Sequence, residues 1–103
     1  MEWDLPITYS QKPYTLKAVV EYESSQIMRI RVHGKKGSLL LECNYPLLKA
    51  GNSKKGINWK IREGKLGAGT TDNAVLLMTI MRLLEERIKQ EFEKRDRNLF
   101  SFV

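Results

Sequence analysis

The stretch GKLGAGTTDN, residues 64–73, has the glycine spacing of a phosphate-cradling loop that runs into a helix. Such a loop works because backbone N–H groups and a lysine converge on phosphate oxygens at a helix N-terminus. Here Thr70 follows Gly69 where the lysine is required, and Lys65 sits at the wrong end. Asp72 adds a negative charge at the helix start, which opposes a bound anion. The segment therefore reads as a hinge that carries the chain from the last strand to a helix. The remaining chemistry is sparse. His33 is the only histidine and Cys43 the only cysteine, and the aspartates Asp4, Asp72 and Asp96 form no motif with either. Nucleophilic catalysis needs a nucleophile and a base at matched positions, and a zinc site needs three or four ligands. Glu21, Glu23, Glu42 and Glu63 are spaced as isolated strand carboxylates. We expect no catalytic function, no metal site and no cofactor.

Charge is the stronger signal. Eighteen Lys and Arg residues face twelve Asp and Glu, a formal net charge of +6. Residues 71–103 hold six of each sign, whereas residues 29–65 hold ten cations against Glu42 and Glu63. A surplus confined to one segment points to a binding face for a polyanion. The candidates are Arg29, Arg31, Lys60 and Arg62 on strands and Lys35, Lys36, Lys54 and Lys55 in loops. Nucleic-acid surfaces also need aromatics that stack on bases. Trp59, Tyr22 and Tyr45 alternate onto the apolar face and are expected in the core, which leaves Tyr9 and Tyr14 open.

The elements that must position these residues follow from periodicity. In YTLKAVVEYE (14–23), Leu16, Ala18, Val20 and Tyr22 share one face, and Lys17, Val19, Glu21 and Glu23 the other. IMRIRVH (27–33), SLLLECNY (38–45) and INWKIREG (57–64) repeat that alternation, which is strand periodicity. GKKG (34–37) makes a tight turn, Pro46 ends the third of these segments, and residues 46–56 form a loop. A shorter strand near residues 5–9 pairs through SQKP. The segment from Thr71 or Asp72 to about Arg95 has helical spacing, with Ala74, Leu77, Met78, Met81, Leu84, Ile88 and Phe92 as its apolar stripe. Thr71 or Asp72 would cap it. Glu85 with Lys89, and Glu91 with Arg95, are favourable i,i+4 pairs. NLFSFV (98–103) is apolar without helical pattern.

Consecutive strands without intervening helices exclude a parallel α/β sheet. We expect one α+β domain over residues 1–97, with an apolar tail at 98–103. Its fold is an antiparallel meander of four to five strands with one long C-terminal helix packed on the apolar face. Met28, Ile30, Leu39, Leu41, Trp59, Ile61, Leu77, Met81 and Leu84 form the expected core. The other sheet face stays open, lined by Lys17, Arg29, Arg31, His33, Glu42, Asn44, Asn58, Lys60 and Arg62. In outline, a meander backed by one helix with a basic open face resembles the architecture of the Whirly-type single-stranded-DNA binders. That resemblance implies a single strand on the open face.

NAVLLMTIMRLL (73–84) is apolar nearly all round, more than one sheet can cover. This predicts a homodimer with Val75, Leu76, Ile80 and Leu83 at the interface. A lone cysteine excludes an intrachain disulfide, and no stretch approaches the ~20 apolar residues of a membrane span. The expected protein is a cytoplasmic binding module. It takes single-stranded nucleic acid or, as the alternative, an acidic protein partner on its basic face.

Overall fold

The computed structural model describes residues 1–35, 37–51, 55–64 and 71–102, with the long helix's side chains from 73 to 97. The chain begins with a hairpin. Strand β1 (Glu2–Tyr9) pairs antiparallel with β2 (Lys12–Glu23), with Leu5 opposite Leu16. The connection is two residues, Ser10 and Gln11, with φ of 51° and 63°. Positive φ at both positions makes a type I′ turn, whose twist matches that of the strands it joins. Strand β3 (Met28–Gly34) follows, then β4 (Gly37–Cys43) and β5 (Trp59–Glu63). All neighbours are antiparallel in the order β1-β2-β3-β4-β5. The expected meander is therefore present with five strands, the first of them longer than expected.

One short helix interrupts it. Residues Tyr45–Ala50 form α1, where sequence periodicity leads one to expect a loop. Pro46 lies in its first turn, where the missing N–H costs nothing and the fixed φ suits a helix. The ring that ends β4 thus also starts α1.

The second helix, α2 (Thr71–Phe102), has 32 residues. At 1.5 Å per residue that is ~48 Å, the same as the 48 Å long axis of the molecule. The helix starts at Thr71, and its capping side chains lie outside the described residues. Its backbone continues through 98–102, which we expected to be non-helical.

The core lies between the sheet and α2. Leu5, Ala18, Met28, Ile30, Val32, Leu39, Leu41 and Cys43 meet Ile80, Leu84 and Ile88. Trp59, Leu76, Leu77, Leu83 and Phe92 pack partly against them. The helix stripe is thus rotated from the expected one. Ile80 is 2% exposed, whereas Met78 is 69% exposed and Ala74 is also on the surface. Met81 is only half-buried and outside the core cluster. Polar contacts also join the helix to the sheet. Tyr9 donates to Asn73 Oδ1 at 3.3 Å, the Trp59 indole donates to Glu85 at 2.9 Å, and Arg95 makes a two-pronged contact with Glu23 at 2.7 and 3.0 Å. Asn73, Ile80, Leu84, Ile88 and Arg95 project on one side of an ideal helix, so the Tyr9–Asn73 and Arg95–Glu23 contacts sit on the side turned to the sheet. Edge-on packing of Tyr45 against Phe92, centroids 5.1 Å apart, and a Lys49–Asp96 pair at 3.1 Å hold α1 to the same helix.

Ile61, expected in the core, is 46% exposed. It faces the helix side, in register with Leu41, but β5 is the edge strand remote from β1 and α2 lies closest to β1. Among the described residues no helix is long and apolar enough to cross a membrane.

Candidate polyanion interface

Irregularities in β2 and β5 shape the open face. Val20 pairs with Ile30 and Tyr22 with Arg29, so Glu21 is an extra residue, a β-bulge. A bulge shifts the alternation beyond it by one. Tyr22 therefore leaves the apolar face expected for it and stands 47% exposed on the open face, while Glu23 turns to the helix side and meets Arg95. On β5 the register shifts between Ile61 and Glu63, so Glu63 joins Arg62 on the open side.

Across four strands the register then makes a row: Tyr22, Arg29, Glu42 and Lys60 stand opposite one another in turn. Three strand spacings of ~4.8 Å give the row a length of ~14 Å. The Arg29 guanidinium lies 5.3 Å from the Tyr22 ring centroid, and its Nε donates to Glu42 at 3.0 Å. Arg62 stands 3.8 Å from the same carboxylate. The hydrogen bond from Arg29 holds the Glu42 carboxyl below its ordinary range, helped by the charges of Arg62 and Lys60. Three cations around one carboxylate leave this end of the face positive.

The adjoining region is different. Arg31 donates to both oxygens of Glu21 at 2.9 Å, to Glu63 at 2.9 Å and to Ser38 Oγ at 3.2 Å. Its side chain is 22% exposed, and these bonds push its pKa up. Hydrogen bonding to Arg31 likewise pulls Glu21 down. Arg31 is thus a staple joining β2, β3, β4 and β5 through residues far apart in sequence. Lys17 pairs with Asp4 at 3.0 Å. Among the described strand residues of the open face, Lys17, Arg29, Arg31, Lys60 and Arg62 stand with Glu2, Asp4, Glu21, Glu42 and Glu63, so cations and carboxylates balance. The excess that is obvious along residues 29–65 is offset there by carboxylates contributed by β1 and β2.

The other candidates separate. Lys35 lies at the opposite end, 5.6 Å from the Tyr14 ring, beside the exposed His33. Lys55 is exposed, four residues before β5. Lys36 and Lys54 lie outside the described residues, as does most of the glycine-rich stretch. Gly64 is described: its φ is +87°, and a Cβ there would collide with the Ser38 carbonyl oxygen. This glycine is required by geometry.

Of the four residues expected at a dimer interface, Ile80 is in the core and Leu76 and Leu83 pack partly against it. Val75 is 55% exposed. Cys43 is 1% exposed, and burial pushes its thiol up to about 11, so it packs as a small apolar group. Among the described residues no three His, Cys, Asp or Glu side chains are grouped to hold a metal. No family model, curated protein or solved structure matches the chain, and the likeness to the Whirly-type binders is one of outline alone.

Proposed function

We propose that this is a cytoplasmic binding module that takes single-stranded nucleic acid, with little sequence preference, on the positive end of its open sheet face. The observation that supports this reading is the bulge-turned Tyr22, which brings an exposed ring into the row containing Arg29 and Lys60. Phosphates would meet Arg29, Lys60 and Arg62, and a base would stack on Tyr22. Arg31 is assigned a structural role, because its donors are committed to Glu21, Glu63 and Ser38.

Anisotropy titration of a labelled single-stranded oligonucleotide tests the reading. Three phosphate contacts at about −0.7 each give a log–log salt slope of about −2. Tyr22→Ala should weaken binding by the ~1–3 kcal/mol typical of one stacked base while leaving the thermal midpoint nearly unchanged. The paired reversal Lys60→Glu and Arg62→Glu should abolish binding. Absence of salt-sensitive binding at low ionic strength, or full affinity in Tyr22→Ala, refutes it.

A second reading is an interaction module that meets an acidic protein partner and pairs with its own copy. Met78, 69% exposed on α2, favours it. Light scattering of the wild type beside Met78→Glu decides the homodimer.

A further inference from the structure

We propose that the trough between the C-terminal half of β1 and the first turns of α2 docks a short extended peptide of a partner protein. That peptide carries apolar side chains and one carboxylate, and it adds to the free edge of β1 at Thr8. The trough lies at the hairpin end of β1 and β2, away from the Tyr22 row.

The trough has a volume of about 690 Å³ and is lined by residues of β1, β2 and α2. A second hollow of about 190 Å³ shares Thr8 and Thr79 with it and extends it to Val75 and Leu76. Alongside α2 it therefore runs from Val75 to Leu83, ~12 Å at 1.5 Å per residue. That length matches about four residues of extended chain at ~3.3 Å each.

The wall on the strand side is a backbone edge. The Met1 carbonyl accepts from Val20 N–H, and the register runs without a shift to Tyr9 opposite Lys12. Antiparallel pairing alternates, so odd-numbered residues of β1 bond to β2 and even-numbered ones point away. The outward direction of residue 4 is visible directly, because Arg87 donates to the Asp4 carbonyl at 3.4 Å. Arg87 thereby closes the edge at Asp4, and Pro6 has no N–H to offer. Among the described residues nothing bonds the Pro6 carbonyl or either backbone group of Thr8 along the trough. A peptide strand antiparallel to β1 would exchange two hydrogen bonds with Thr8 and give a third to Pro6. Long strands are excluded by Arg87 and by the proline, which leaves a short segment as the occupant.

The helix side selects the side chains. Ile7, Leu76 and Leu83 provide apolar contact, and Arg82 provides the charge. Arg82 is 66% exposed, and its only ion partner among the described residues is Glu86 at 3.8 Å, itself 58% exposed. Such an exposed pair contributes little and yields readily to a better-placed carboxylate.

The test is an NMR titration of the ¹⁵N-labelled full chain with mixtures of capped hexapeptides randomised at apolar positions. One set carries a fixed glutamate, a second a fixed lysine, and a third the glutamate with N-methylated backbone. The glutamate set should shift the amides of Thr8, Thr79 and Leu83 saturably, and the N-methylated set should not. Arg82→Glu should weaken the interaction at least about threefold. Thr8→Pro removes an outward N–H that β2 does not use, so it should block binding in a protein that still folds. No saturable shift with any set overturns the proposal. So do shifts confined to the Tyr22 row, or binding indifferent to N-methylation.

Discussion

The seating of α2 can be tested within one helical turn. Ile80 and Met78 are two residues apart, yet one is 2% and the other 69% exposed. Ile80→Ala deletes three carbons from a site shared with Leu84 and Ile88. At ~0.8 kcal/mol per buried methylene the transfer loss is ~2.4 kcal/mol. The residual cavity adds to this, and isoleucine-to-alanine losses span ~2–5 kcal/mol. We expect ~3–4 kcal/mol, which for a domain of this size lowers the thermal midpoint by more than ~12 °C at ~4 °C or more per kcal/mol. Met78→Ala should stay within ~0.5 kcal/mol. Urea unfolding followed by tryptophan fluorescence provides the readout, because Trp3 and Trp59 are both half-buried beside the core. Repeating the titration over a wide range of protein concentration separates the core from an interface, since only an interface residue makes the effect concentration-dependent. A loss below ~0.5 kcal/mol for Ile80→Ala, or one above ~2 kcal/mol for Met78→Ala, would show that the helix is seated on a different face.

Two further outcomes concern the pH response and the hinge. Hydrogen bonding to Arg95 holds Glu23 below its ordinary 4.5, and Glu21 and Glu42 are lowered in the same direction by Arg31 and Arg29. A lowered folded-state pKa means stability that is fully present above about 4.5 and is lost as pH falls through the folded values. The thermal midpoint should therefore be flat between neutrality and the ordinary carboxylate range and fall below it, and Glu23→Gln should flatten part of that fall. Gly64→Ala should lower the midpoint, at a cost of ~1–3 kcal/mol for the left-handed backbone alone, while the same change at Gly56, which has open space around it, should cost little.

Strand alternation across residues 14–63 and the helical spacing after residue 71 are local properties, and they determined the α+β meander with its C-terminal helix. Proline at 46 was legible as the end of a strand but not as the start of α1, because its fixed φ suits both. The phase of α2 was not legible, since residues 73–84 are apolar nearly all round. Asn73 and Arg95 share the helix's buried side and meet Tyr9 and Glu23, partners up to 72 residues away. The bulge at Glu21 leaves no mark in composition, yet it reverses Tyr22 and Glu23 and so creates the candidate site. Charge showed the same division. The cation excess of residues 29–65 is written in the sequence, but the carboxylates that balance most of the face come from β1 and β2. Only strand pairing brings them beside Arg31 and Lys17. Periodicity is a property of neighbours along the chain, whereas register, bulges and ion pairs depend on residues that meet only when the sheet closes.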